Sequence, residues 1–121
     1  MCIRDSYHFS GSISGYAEGD LYFPGSPLLT VEGTFAEACL LETLLLSIDN
    51  PDSAVASAAS RMTLMSEGRP IIETGSRRTH EESAVAAARA AWIAGFGPTS
   101  NLAAGYRYGA VSYTHLTLPT T

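Results

Sequence analysis

Two adjacent arginines, Arg77 and Arg78, stand between a short apolar run and an alanine-rich segment. The apolar run, residues 70–72, ends at Gly75 and predicts a strand over residues 70–73, whereas the alanine-rich segment, residues 84–94, predicts a helix. A helix N-terminus favours anions through its free N–H groups and dipole, and arginine adds a planar charged fork for carboxylate or phosphate. The sequence therefore predicts an anion-binding site where the strand passes into the helix.

Two hydroxyl side chains flank the arginines and could take part in the same site. Ser76 and Thr79 can offer hydroxyl and N–H groups to an anion, although roles in the turn and the helix cap account for them equally well. Thr79 with Glu82 forms a capping-box pattern, so we predict a helix over residues 80–94 with Thr79 as its N-cap. The alternative for the arginines is a structural ion pair with a nearby carboxylate: Glu73, Glu81 or Glu82.

A second polar cluster follows the helix at the next predicted strand end. Thr99, Ser100 and Asn101 come after a glycine stop at residues 95–97, in a short strand or turn over residues 98–101. A strand-helix-strand order implies parallel strands with a right-handed crossover, so both strand ends meet at one edge. Their side chains could reach the same ligand, and the alternative is an N-cap for a further helix over residues 102–108.

The elements upstream have their own start and stop signals. Glycines and prolines bound two predicted strands, Tyr16 to Phe23 and Pro27 to Val31. Thr34 and Glu37 form a capping box that opens a helix to about Ile48. We predict a second helix over residues 54–65, because Asn50 resembles an N-cap, Pro51 suits the first turn, and Gly68 follows the segment.

Four stretches of this chain, in the same order, resemble the nicotinate phosphoribosyltransferase family. Residues 75–78 read Gly-Ser-Arg-Arg after an apolar strand, and residues 35–46 resemble the family helix that carries Leu-Leu-Glu-Thr. Residues 15–34 resemble the strand pair before that helix, and residues 94–109 resemble the family pattern Gly-Phe-x-x-Thr/Ser-Ser-Asn. A single arginine pair would be weak evidence for the resemblance, whereas four stretches in the same order are specific evidence for it.

The resemblance implies a mixed α/β fold. By this resemblance the chain is a fragment of a type II phosphoribosyltransferase. It would contain part of the small α/β domain and the first strands and helices of an incomplete α/β barrel. We assign residues 7–34 to strands of the small domain, 35–68 to a helical segment and 69–110 to the start of the barrel. Residues 1–6 and 111–121 resemble translated sequencing-adapter sequence, so we predict foreign ends on an internal fragment.

The resemblance also implies an activity: nicotinate and phosphoribosyl pyrophosphate give nicotinate mononucleotide, with ATP hydrolysis, in NAD biosynthesis. Arg77 matches the first arginine of the family motif and is the leading candidate for substrate binding. Arg78 is second, and the remaining candidates are Ser76, Thr79, Ser100 and Asn101. The family uses Mg²⁺ and ATP, and we expect neither to be bound by this fragment.

No catalytic residue is assigned from the sequence. Family members form a phosphorylated histidine on a strand later than the segment that ends at Gly109, so His80 is expected to be a first-turn surface or packing residue. The fragment alone is expected to be inactive, and the parent enzyme is expected to be a homodimer.

Length and composition limit the number of domains and the classes of function that this chain could have. The chain has 121 residues and a net charge of −5, which allows one domain at most and argues against nucleic-acid binding. Two cysteines without metal-ligand or disulfide spacing favour the cytoplasm, and no apolar run is long enough for a membrane span. Two alternatives stay open: a sibling enzyme for quinolinate or nicotinamide, and a non-enzymatic anion-binding or interaction module.

Overall fold

The computed structural model describes residues 7–110 and has a mixed α/β fold, as predicted. The chain divides into two compact units between Ser47 and Ile48, within the segment that we had treated as one helical region. Its elements in chain order are strand β1 (Ser12–Gly15), strand β2 (Leu29–Glu32), helix α1 (Phe35–Met65), a 3-10 helix (Gly75–Arg77), helix α2 (Glu81–Ile93) and helix α3 (Leu102–Tyr108).

The first unit contains an antiparallel hairpin in which β1 pairs with β2. The predicted strand over Tyr16 to Phe23 is wrong, because the chain turns there instead of extending. The Asp20 N–H donates to the Ala17 carbonyl at 3.1 Å, and the Asp20 carboxylate accepts from the Ala17 N–H at 3.1 Å. Gly19 has a φ of 88°, which a side chain would disfavour, and the true strand lies upstream.

The predicted capping box at the start of α1 is confirmed. The Glu37 carboxylate accepts from the Thr34 N–H at 3.0 Å and from its hydroxyl at 2.8 Å, while the Glu37 N–H donates to the Thr34 hydroxyl at 3.4 Å. The other oxygen of Glu37 accepts from the Ser10 N–H at 3.0 Å and its hydroxyl at 2.9 Å. These hydrogen bonds, the one from the Ser10 N–H foremost, lower the pKa of Glu37 to about 2.

The prediction of two helices separated near Asn50 is wrong, because α1 continues through Pro51. Proline has no N–H, so it removes one hydrogen bond within the helix, and its ring crowds the carbonyl of the preceding turn. The segment that follows it is rich in alanine, which favours the helical conformation. The helix ends at Met65, and left-handed backbone at Glu67 (φ 52°) and Gly68 (φ 81°) then reverses the chain.

In the second unit, a parallel bridge between Glu73 and Thr99 replaces the two predicted strands. The Glu73 N–H donates to the Pro98 carbonyl at 2.9 Å, the Ser100 N–H donates to the Glu73 carbonyl at 2.9 Å, and the Gly97 N–H donates to the Ile71 carbonyl at 3.0 Å. Among residues 7–110, β pairing is limited to this bridge and the hairpin. The parallel direction and the intervening helix agree with the predicted strand-helix-strand order.

Helix α2 packs through small side chains. Val85 and Ala88 of α2 form a buried cluster with Ala104 of α3. At its other end α2 ends at Ile93, and Gly95 beyond it has a φ of 97°. The N–H groups of Gly95 and Phe96 donate to the carbonyls of Trp92 and Ala91, each at 3.0 Å. This is a Schellman motif, and it confirms the predicted glycine stop.

Candidate functional site

The Ser-Arg-Arg sequence forms a tight turn directly after the parallel bridge. Gly75–Arg77 is one turn of 3-10 helix, and the Arg78 N–H closes it with a bond to the Gly75 carbonyl at 2.8 Å. The bridge at Glu73 fixes where this turn begins. The predicted strand end is therefore replaced by a single bridged residue, and the turn that follows it carries the candidate side chains.

Both arginine side chains are exposed. Among residues 7–110, neither Arg77 nor Arg78 has a hydrogen bond or an ion pair to its guanidinium group. Two carboxylates considered as their partners are engaged elsewhere: Glu73 contacts Gly75 and Thr99, and Glu82 pairs with an arginine of α3. The structural ion pairs that we considered for the arginines are thus not formed in the described part of the chain.

The Glu82 pair is bidentate and links α2 to α3. Arg107 donates to the two Glu82 oxygens at 2.7 Å and 3.1 Å. The hydrogen bond from this guanidinium, together with its charge, lowers the pKa of the Glu82 carboxyl. Because Glu82 binds Arg107, it cannot fold back to cap its own helix.

The predicted capping box of Thr79 and Glu82 is therefore wrong. His80 is the N-cap residue of α2, with an extended backbone (φ −73°, ψ 166°), and Thr79 lies in a bend before it. The His80 ring lies 2.9 Å from the Ser83 hydroxyl, joining the N-cap to the third helical residue by their side chains. We expected His80 in the first turn of the helix. In the structure it lies one residue before the helix, at the N-cap position.

Asn101 connects the two strand ends. Its side-chain Nδ2 donates to the Ser76 hydroxyl at 3.1 Å, and its Oδ1 accepts from the Ala104 N–H at 3.0 Å. The second contact is the N-cap role that we held as an alternative, and the first joins the two polar clusters. Ser100 contributes its N–H to the Glu73 carbonyl, and its side chain is exposed.

A shallow pocket of about 300 Å³ lies at the N-terminus of α2. Three of the predicted residues line it, while Arg77, Arg78 and Ser100 do not. Sequence reasoning missed His80 and Glu81 as wall residues, although their positions at the N-cap and in the first turn of α2 were a usable signal, since the free N–H groups of a helix lie at that end. The lining consists of Ser76, Thr79, His80, Glu81, Ala84, Val85, Asn101 and Ala103.

The electrostatics of this pocket are mixed. The free N–H groups of α2 favour an anion, whereas Glu81 in the first turn places a carboxylate on the same wall. In the described ranges, no group of three or more histidine, cysteine, aspartate or glutamate side chains could hold a metal ion. Mg²⁺ thus has no such ligand cluster within residues 7–110. None of the helices in that range is long and apolar enough to cross a bilayer.

Known proteins contain a similar segment. Nicotinate phosphoribosyltransferase pncB1 of Mycobacterium tuberculosis is 68% identical over 103 residues, which cover 85% of this chain and 23% of the relative. The segment belongs to the nicotinate phosphoribosyltransferase family. Nicotinate phosphoribosyltransferase of Bacillus subtilis is 43% identical over 100 residues, covering 81% of this chain and 20% of that protein.

The fold agrees with the family assignment. A crystal structure of human nicotinic acid phosphoribosyltransferase superposes with a TM-score of 0.82 at 32% identity, covering 90% of this chain and 22% of the human chain. No protein-family model matches the chain. The chain spans less than a quarter of the length of these nicotinate phosphoribosyltransferases.

Proposed function

We propose that this chain contributes part of the substrate-binding site of a nicotinate phosphoribosyltransferase, which converts nicotinate and phosphoribosyl pyrophosphate to nicotinate mononucleotide in NAD biosynthesis. The observation that carries the proposal is the 68% identity over 103 residues to a protein of that name. The Bacillus subtilis relative has the same name at 43% identity. Both names favour nicotinate over the quinolinate and nicotinamide alternatives.

The geometry supports a binding role for the Ser-Arg-Arg turn. Every substrate in the proposed reaction is anionic, and Arg77 and Arg78 are exposed guanidinium groups without a partner in residues 7–110. A planar guanidinium can hold a carboxylate or phosphate through two parallel hydrogen bonds. We therefore assign Arg77 to a substrate carboxylate or phosphate, with Arg78 as the second candidate.

The polar residues around the turn complete the proposed binding face. The Asn101 Nδ2 donates to the Ser76 hydroxyl at 3.1 Å, and both residues line the pocket with Thr79. Ser100 lies exposed beside Asn101 and is proposed as a further hydroxyl donor. Fixed donors of this kind stabilise charge that develops on a departing pyrophosphate, because they need no reorganisation during the reaction.

The remaining features of the activity are carried over from the family resemblance. We propose that the reaction is coupled to ATP hydrolysis, that Mg²⁺ is held by residues other than those described here, and that the enzyme acts as a cytoplasmic homodimer. The 121-residue chain alone is proposed to be inactive, because it spans 23% of the length of its relative and the reaction needs several groups fixed around one ligand.

A chimaera tests the proposal directly. Residues 7–110 of this chain replace the matching segment of the Mycobacterium tuberculosis relative, and nicotinate mononucleotide formation is measured with ATP and phosphoribosyl pyrophosphate. Nicotinamide and quinolinate serve as competing substrates, and the 121-residue chain alone is assayed beside it. We expect a chimaera that uses nicotinate within about tenfold of the relative's rate. A folded chimaera without that activity contradicts the proposal, and turnover by the isolated chain refutes its inactivity.

A further inference from the structure

Glu73 is a buried carboxylate to which the proposed binding role assigns no task. It is 7% exposed, and its Oε1 accepts from the Gly75 N–H while its Oε2 accepts from the Thr99 hydroxyl at 2.6 Å. Its backbone also forms both hydrogen bonds of the parallel bridge, to Pro98 and Ser100. One residue therefore contacts both strand ends of the candidate site.

The contact with Gly75 depends on the absence of a side chain there. A Cβ at that position would lie 2.6 Å from Oε1 of Glu73, which is closer than any ordinary van der Waals contact. The Gly75 carbonyl in turn accepts from the Arg78 N–H and closes the 3-10 turn. The carboxylate thus binds the first residue of the turn that presents Ser76 and Arg77.

The contact with Thr99 extends to the second strand end. Thr99 is 2% exposed, and its hydroxyl donates to Glu73 while accepting from the Asn101 N–H at 3.0 Å. Asn101 then donates to Ser76, which follows Gly75 in the chain. The hydrogen bonds form a closed circuit from the turn, through the carboxylate and the threonine, to the asparagine and back to the turn.

We propose that Glu73 is the positioning residue of this site. Its carboxylate fixes the Ser-Arg-Arg turn against the Thr-Ser-Asn strand end, so that Arg77 approaches the substrate in one orientation. This inference rests on the proposed function, because it assigns Glu73 a role through the substrate-binding arginine. Charge-assisted hydrogen bonds are the stronger kind, and displacing a binding group by about 1 Å can lower a rate by about a hundredfold.

Kinetics of the chimaera test the coupling between Glu73 and Arg77. Glu73→Gln preserves size but removes the charge, and we expect kcat/KM to fall at least about tenfold. In an Arg77→Ala background, Glu73→Gln should change kcat/KM by less than about twofold. The reason is that Glu73 acts on the substrate through the Arg77 guanidinium, which is absent in that background. The matched control is Glu42→Gln, an equal charge change at an exposed position on α1, which should leave activity unchanged.

Two kinetic results for Glu73→Gln would overturn the proposal. An unchanged kcat/KM in Glu73→Gln would show that Glu73 has no positioning role. An equal loss of kcat/KM in the presence and absence of Arg77 would indicate general damage to the fold. Should Glu73→Gln fail to fold, Thr99→Val and Thr99→Ser decide in its place. Valine removes the hydroxyl that Glu73 accepts from, whereas serine retains it, so serine should restore activity and valine should not. Equal activity in these two variants contradicts the proposal.

Hydrogen exchange of the Gly75 amide in the full 121-residue chain gives a readout that needs no activity. We expect this amide to exchange at least about tenfold faster in Glu73→Gln than in the unsubstituted chain, with Glu42→Gln unchanged. Equal Gly75 exchange in all three proteins shows that the carboxylate does not hold the turn. An inactive unsubstituted chimaera counts against the proposed function, and the exchange measurement then decides the role of Glu73 independently.

Discussion

Asn101 Nδ2 donates a hydrogen bond to the Ser76 hydroxyl at 3.1 Å across 25 positions of the chain. This contact joins the two polar clusters that flank the parallel bridge between Glu73 and Thr99. The same asparagine caps α3 through its other side-chain atom, Oδ1. One side chain therefore sets both the start of a helix and the position of the Ser-Arg-Arg turn.

Asn101 variants separate these two tasks. Asn101→Ala removes both contacts and should destabilise the 121-residue chain by about 1 kcal/mol, as expected for a lost N-cap. Asn101→Asp keeps an oxygen to accept from the Ala104 N–H but loses the donor to Ser76, so its stability should stay closer to the original. Thermal melting followed by circular dichroism compares the two variants. Equal losses would show that the cap has no share in stability.

Arg77→Ala in the chimaera should lower kcat/KM roughly ten- to a hundredfold. A charge-assisted hydrogen bond contributes about 1.5–3 kcal/mol, and each 1.36 kcal/mol corresponds to about a tenfold change in rate. Arg77→Lys should recover part of the activity, because it keeps the charge and loses the fork. Steady-state measurements of kcat/KM test this prediction, and Arg61→Ala on α1 is the control for removing a guanidinium group elsewhere in the chain. Full activity in Arg77→Ala would exclude this arginine from the site.

His80→Ala should leave ATP-dependent phosphoryl labelling of the chimaera intact. His80 caps α2 and lies 2.9 Å from the Ser83 hydroxyl, so its position has a local structural explanation. Labelling with radioactive ATP measures the outcome, and melting temperatures verify that the variant folds. Loss of label in a folded His80→Ala protein would make this histidine the phosphorylated residue.

Acid should destabilise the first unit through Glu37. The pKa of this carboxyl is lowered to about 2 by hydrogen bonds from Ser10 and Thr34, against an ordinary value of 4.5. A carboxyl whose pKa is lower in the folded state stabilises the fold above the unfolded pKa, and this contribution is lost as pH falls from about 4.5 to about 2. Titration of the Glu37 carboxyl carbon by NMR should give a midpoint near the lower value. A midpoint near 4.5 would contradict the hydrogen-bond geometry.

The 121-residue chain should associate in solution. Several large apolar side chains are more than four-fifths exposed, and such surfaces favour contact with other apolar surfaces. They include Leu21, Phe35 and Met65. Light scattering at several protein concentrations measures this, and replacing all three by serine should reduce the apparent mass. A monomer at every concentration would show that these side chains do not drive association.

Local signals in the sequence determined several elements of this protein correctly. The capping box of Thr34 and Glu37, the stop at Gly95 and the cap of α3 by Asn101 each depend on residues within about five positions. Such contacts are present in the sequence as fixed spacings, because helix geometry brings residues three and four apart together. The anion-binding interpretation of Arg77 also came from its local position between strand and helix, and it stays a prediction.

Contacts between distant residues decided the rest. Thr79 and Glu82 have the spacing of a capping box, but Arg107 binds Glu82, so His80 becomes the N-cap instead. Pro51 resembles a helix start, yet α1 continues through it. Glu73 appeared only as a possible partner for the arginines, whereas burial against Thr99, 26 positions away, makes it part of the turn. Residue spacing along the chain allows more than one local structure at each of these positions. Tertiary packing favours one of them, so only the tertiary structure determined the N-cap of α2, the length of α1 and the contacts of Glu73.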